Sequence, residues 1–269
     1  MNFQNEVITS QYDVRDYTIT AKTDFPKSFS LSDNVPIKNQ GSVPSCVAHA
    51  LASVIEYHYK RQHRQYEKFS TEFIYGVRES GYYIGDGMCI RDALKTVQKY
   101  GDVFESNCSG NNDYEKAIEN VTANFDKLKE LAHSHRISAY FKIGNDSELK
   151  TALMTYGAVV VSMNTYKGAK LVDDVYTYVA SKDYGCHCVF IYGWNEKGWL
   201  VQNSWGTSYG GDGRFIIPFD YKFNEIWGIV DDIVEGCINI PKRNKFLDLI
   251  YSIWNRIANM FYYLANRRK

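Results

Sequence analysis

One stretch limits the folds open to this chain: Asn39–Ala50, which reads Asn-Gln-Gly-Ser-Val-Pro-Ser-Cys-Val-Ala-His-Ala. A loop carrying Gln40 and Gly41 runs through Pro44 to Ser45-Cys46, and an apolar run follows at once. Val47, Ala50, Leu51 and Ile55 recur at helical spacing with Ala48 and Ala52 beside them, which predicts a central helix over 46–62. Ser45 suits the N-cap, so Cys46 falls in the first turn. Unpaired backbone N–H groups and the helix dipole favour a thiolate at such a position. A nucleophilic thiolate needs a base. The histidine with a matching context is far downstream, in Gly185-Cys186-His187-Cys188-Val189-Phe190-Ile191, and sixteen residues beyond it comes Asn203-Ser204-Trp205-Gly206.

Composition narrows the class. The 269 residues carry 31 Lys+Arg against 31 Asp+Glu, so no global field points to a nucleic acid or an acidic substrate. Met1–Ser10 has no apolar signal-peptide core, which leads to the expectation of a cytoplasmic protein with reduced thiols. Cys89–Cys108 is the one pairing left open. Cys186-His187-Cys188 looks at first like a zinc signal. On a strand, however, the two cysteines point away from the histidine, and three adjacent residues do not converge on a tetrahedral ion, so no metal or other cofactor is expected.

Along the chain, helical patterns come first: 46–62, Ser70 to about Arg78, a helix ending at Tyr100 before Gly101, and a charged helix from Asp113. Strand patterns follow at Ile137–Ile143, Ala158–Met163, Cys188–Tyr192, Trp199–Asn203 and Arg214–Pro218, with a helix over Asp146–Tyr156 and a hairpin turn over 193–198. Helices then strands imply an α+β fold of two lobes with a site between them. The helical lobe spans about 36–135 and the antiparallel sheet or barrel lobe about 136–240. Residues 1–35 read as an extension packed on the outside of that unit, and His133 and His135 as exposed.

Gln40, Cys46 six residues on, His187 and Asn203-Ser-Trp-Gly together resemble the papain-like cysteine peptidases, with His187 lying 141 residues and Asn203 157 residues beyond Cys46. Asp92–Gly101, Gly157–Ser162 and Tyr209–Phe215 are similar to further family segments, and Tyr12–Tyr17 to a leader of bacterial members that lack a large pro-domain. The chain departs at Val43, where secreted members have a disulfide cysteine, and at Pro44 and Val47, which replace a glycine and an aromatic. The resemblance implies a Cys46 nucleophile, His187 as general acid and base, Asn203 orienting His187, Gln40 in the oxyanion hole and Trp205 covering the His–Asn pair. It also implies a pocket for the second residue before the scissile bond. Ile90, Cys188 and Gly185 would line it, an apolar side chain would fill it, and Gly87 and Met88 would offer backbone to an extended peptide or protein substrate. His49, three residues after Cys46, lies on the helix body and reads as structural.

Three functions share these residues: a peptidase, an inactive binding module, and another acyl-transfer enzyme such as an amide ligase, deamidase or aminopeptidase. The last segment, 241–269, is a separate expectation. Phe246, Leu249, Ile253, Trp254, Ile257, Phe261 and Leu264 recur at helical spacing, with seven basic residues against Asp248 alone. This predicts an amphipathic helix that packs on the body or a protein partner, or lies on a membrane surface as a peripheral anchor.

Overall fold

The computed structural model describes residues 7–10, 12–13, 16–32, 35–78, 86–109, 113–231 and 238–239. The amphipathic segment expected over 241–269 lies outside the described residues. No helix among the described residues is long and apolar enough to cross a membrane.

The N-terminal extension is woven into the fold, not laid on its outside as expected. Its strands β1 (Val7–Ile8), β2 (Thr18–Ile19) and β3 (Phe29–Ser30) each pair with a distant segment. β1 runs parallel to β4 (Met88–Cys89), β2 pairs with Ile238–Asn239, and β3 pairs with Gly193 and Trp194. Val7 and Ile19 are buried by this pairing. A Cβ at Gly193 would sit 2.2 Å from the Phe29 carbonyl oxygen, so the approach of β3 depends on that glycine.

Among the helices, α1 (Cys46–His63) is central, and every residue from Cys46 to His58 is buried. It ends at Arg64 in the left-handed region, with Lys60, Arg61 and His63 in the last turn where the dipole favours positive charge. α2 (Thr71–Gly76) starts at Ser70, whose hydroxyl accepts from Phe73 N at 2.9 Å. α3 (Ile90–Tyr100) stops at Gly101, where φ is +89° and a Cβ would meet the Ala132 carbonyl oxygen at 1.9 Å. The single charged helix expected from Asp113 is two, α4 (Tyr114–Ala123) and α5 (Phe125–Ala132). Asn124 breaks it, its amide donating to Asn120 O at 2.9 Å in competition with the helix ladder. His135 is also not exposed as expected: it packs on Phe104 at 4.6 Å and on Phe69 at 5.3 Å.

The second half builds a sheet around α6 (Asp146–Thr155). Its strands are β5 (Ala139–Lys142), β6 (Val159–Tyr166), β7 (Lys170–Val172), β8 (Val175–Thr177), β9 (Tyr184–Asn195), β10 (Gly198–Gln202), β11 (Arg214–Ile217) and β12 (Glu225–Val230). Their order is β5-β12-β6-β9-β10-β11-β8-β7, with β3 joining β9 as a ninth strand. The strand β13 (Ile238–Asn239) is the partner of β2. Alternation along β9 divides the core. Cys188 and Phe190 face α1 with Val47, Leu51 and Trp227, whereas Val189 and Ile191 join Phe141, Leu149 and Trp199 on the other side. A third core, with Phe73, Val121 and Leu128, lies under α2, α4 and α5.

Two buried titratable groups make stability depend on pH in opposite senses. Burial pushes His58 down to about 3, and its Nε2 has no hydrogen-bond partner among the described residues. Since the unfolded imidazole protonates near pH 6.5, the His58 contribution is complete above that value and is lost as pH falls. Burial raises the Asp102 carboxyl well above its ordinary range, so its contribution is complete at low pH and lost as pH rises. Urea unfolding of the parent and of His58→Phe at pH 7 and pH 5 isolates the first group. The parent should lose stability relative to the variant by about 1.4 kcal/mol per pH unit below pH 6.5. Parallel pH profiles would show that His58 titrates normally.

Candidate active site

The site begins with a loop pinned at both ends. Lys38 is buried and pairs with Glu56 of α1 at 2.5 Å, the two side chains being 6% and 0% exposed. Glu56 also accepts from Phe69 N at 2.9 Å and from Tyr66 OH at 3.3 Å. Burial raises the Glu56 carboxyl despite the opposing Lys38 charge and these bonds. The pair therefore fixes position more than it adds stability, yet removing one partner would strand the other charge at a cost of about 3–5 kcal/mol.

The same loop is tied to the far end of the chain. Gln40 N donates to Ser204 O at 2.8 Å, Gly206 N donates to Lys38 O at 3.0 Å, and Asn39 bridges Trp205 in antiparallel fashion. Ser204 Oγ donates to Gln40 Oε1 at 2.7 Å, and Gln40 Nε2 donates to Val43 O at 3.0 Å. The Gln40 amide is thus held at both ends with its orientation fixed.

At the head of α1, Ser45 occupies the N-cap position but does not cap in the expected way. Its side chain accepts no helix N–H; Oγ lies 3.4 Å from Val43 O and 3.2 Å from His49 Nδ1. His49 Nδ1 donates to Ser45 O at 3.0 Å, so this histidine is built into the helix. Cys46 follows, fully buried, and α1 packs its length against β9.

His187 lies on β9 opposite Met163 of β6 and is 2% exposed. Its Nε2 is 2.8 Å from Asn203 Oδ1, which also accepts from Ser204 N at 2.8 Å. The Ser204 N–H identifies that amide atom as the oxygen, and an oxygen only accepts, so Nε2 carries a hydrogen and donates it. Asn203 stands just past the end of β10, its N donating to Gly213 O at 3.0 Å. Trp205 lies beyond the end of that strand, and its ring stacks on His187, 4.3 Å between centroids and tilted by 25°. Tyr209 meets Trp205 edge-on at 4.8 Å.

Gln40, His187, Asn203 and Trp205 thus form one connected group around Ser204. The residues expected to meet substrate form another, at the start of α3. Gly87 is buried and its carbonyl accepts from Arg78 Nη1 at 2.8 Å, while Met88 pairs with Val7 of β1. The backbone expected to be open to a substrate strand is engaged by the chain itself. Ile90 and Cys188 are buried in the same core group as Val7, and Gly185 is buried on β9. Cys89 and Cys108, the one pairing left open, are both thiols, and burial above all pushes each up to about 11. Ser204 lies inside the Asn203-Ser-Trp-Gly motif, and only the fold reveals its bond to Gln40.

Comparison with known proteins follows the same lines. A family model described as papain family cysteine protease matches residues 25–231. The uncharacterized peptidase C1-like protein L477 of Acanthamoeba polyphaga mimivirus is 25% identical, over 86% of this chain and 88% of its own length. Cathepsin O of Mus musculus is 24% identical, over 74% of this chain, which spans 62% of that relative. Among solved structures, xylellain, a cysteine protease from Xylella fastidiosa, matches with a TM-score of 0.74 at 23% identity, covering 85% of this chain and 96% of its own. With most of its length matched by that family model, the chain belongs to the papain family of cysteine proteases.

Proposed function

We propose that this chain is an active cysteine peptidase working through a Cys46 thioacyl-enzyme on peptide or protein substrates. The observation that carries this reading is the His187–Asn203 hydrogen bond of 2.8 Å under the Trp205 ring, linked through Ser204 to Gln40. With Nε2 donating to Asn203, Nδ1 is the nitrogen that exchanges a proton with the thiol. The Cys46 sulfur attacks the scissile carbonyl carbon, and the carbonyl oxygen takes up the negative charge. Gln40 Nε2 and the Cys46 N–H stabilise that oxyanion; the Val43 carbonyl and the Ser204 hydroxyl fix the direction of the amide. His187 then gives its proton to the leaving amine, the C–N bond breaks, and the acyl group remains on sulfur. Water, deprotonated by His187, attacks the thioester and restores the thiol.

Labelling with an epoxysuccinyl peptide, read by peptide mapping, tests the nucleophile. The parent should form an adduct on Cys46 and Cys46→Ala none. Absence of an adduct on the parent would favour an inactive binding module. In peptide cleavage, Cys46→Ala and His187→Ala should abolish turnover, and Asn203→Ala should lose less because it orients without moving a proton.

Gln40→Ala should lower kcat by about a hundredfold or more with little change in KM, since an oxyanion donor acts mainly in the transition state. Ser204→Ala, which frees the Gln40 amide, should give a smaller loss of the same kind. A rise in KM alone for either variant would remove Gln40 from the oxyanion hole.

A further inference from the structure

A histidine that the mechanism leaves unused lies one helical turn below the nucleophile. His49 is 4% exposed, and its ring meets the residue before Cys46 at two points. Nδ1 is 3.0 Å from Ser45 O and 3.2 Å from Ser45 Oγ. A carbonyl oxygen only accepts, so Nδ1 carries a hydrogen and donates it. Ser45 O accepts from His49 N as well, also at 3.0 Å. This carbonyl therefore takes two hydrogen bonds from one residue, where a helix carbonyl ordinarily takes one.

The Ser45 carbonyl and the Cys46 N–H are the two ends of one peptide group. The group is planar and trans, so its oxygen points along the helix toward His49 and its N–H points out of the helix end. Holding the oxygen fixes the plane, and hydrogen bonds accepted there polarise the N–H. Ser45 has φ −107° and ψ 22°, outside the extended region of a side-chain cap, so its hydroxyl accepts no helix N–H. That hydroxyl stands between the His49 ring and Val43 O, 3.4 Å from the carbonyl oxygen. Val43 O is also the acceptor that orients the Gln40 amide, 3.0 Å from its Nε2. The His49 ring thus backs both donors assigned to the oxyanion, the Cys46 N–H directly and Gln40 through one hydroxyl.

We propose that His49 is a positioning residue of the oxyanion hole, its Nδ1–H fixing and polarising the peptide whose N–H meets the developing charge. This rests on the peptidase reading, with Cys46 and Gln40 in the roles given above. His49 exchanges no proton with the thiol, because its Nδ1 hydrogen is committed to Ser45 O. The donor that it supports acts mainly as charge forms on the substrate oxygen, so the effect falls on kcat and not on substrate binding.

Two variants separate this role from packing. His49→Phe keeps a ring and removes the donor, whereas His49→Asn puts an amide N–H where the Nδ1–H stands. On a peptide substrate, His49→Phe should lower kcat by about tenfold with KM within about twofold, since the Cys46 N–H is loosened and not removed. His49→Asn should regain most of that loss. Alkylation of Cys46 by iodoacetamide develops no oxyanion, so its rate and pH profile should match in the parent and both variants. A merely structural histidine would slow alkylation and turnover together, or raise KM alone. Either result would overturn the proposal, as would a His49→Asn no better than His49→Phe. Nitrogen-15 NMR of the parent imidazole keeps the test decisive should His49→Phe not fold. A protonated Nδ1 together with an active His49→Asn upholds the role, and an unprotonated Nδ1 refutes it. Failure of the peptidase reading looks different. A parent that hydrolyses no peptide refutes that reading and the positioning role with it, whereas an active parent with unchanged kcat in His49→Phe refutes the positioning role alone.

Discussion

The arrangement of the site depends on one short junction, where Lys38–Gln40 pairs with Ser204–Gly206. Two main-chain hydrogen bonds and the Ser204–Gln40 contact join residues 164 to 168 positions apart. Closing a loop of that length carries a conformational entropy cost that local contacts cannot offset, so the junction forms only when both lobes are in place. It links the amide of Gln40 through Ser204 to Asn203, whose side chain holds the imidazole of His187. A fragment containing either half alone would keep its local elements and have no site.

Buried charge secures the parts that the junction brings together. Lys38–Glu56 attaches the loop to α1, and Arg91–Asp16, at 3.0 Å with side chains 7% and 9% exposed, attaches the N-terminal extension to α3. The Arg91 guanidinium also lies over the Trp227 ring, 5.5 Å from its centroid, and Lys142 approaches the same ring. Buried ion pairs add little net stability because desolvation offsets their attraction. They penalise misplacement heavily, however, since any other register leaves a charge alone in the core. In this chain they hold segments that have too few apolar residues to position themselves.

Much of this was legible in the sequence, and the parts that were not share a cause. α1, α3 and α6 carry caps or apolar periodicity over two or more turns, and β9 and β10 are long enough to show their pattern around the Gly198 turn. Strands of two or three residues, such as β1, β4, β7 and β8, have no measurable period; tertiary pairing alone creates them. β12 was missed although it has six residues, because it opens on Glu225 and Gly228 interrupts its apolar run. The residues at the site stood out because their chemistry is unusual at their spacing. Ser45 and Ser204 did not, since the partners of a serine hydroxyl are set by the fold.

The smallest of these strands bears on how the protein responds to mild perturbation. β1 has two residues and, among the described residues, pairs along one edge, whereas β6 pairs on both sides over half its length. Segments with few hydrogen bonds open at free energies far below that of global unfolding. Amide protons of Val7 and Ile8 would therefore exchange with solvent well before those of Val160 or Val189. Urea at concentrations too low to disturb the sheet would shift the same local equilibrium, uncovering Met88 and its neighbours. A thiol reagent would then reach Cys89, which pairs with Ile8 of β1, before it reached Cys188 in the middle of the sheet.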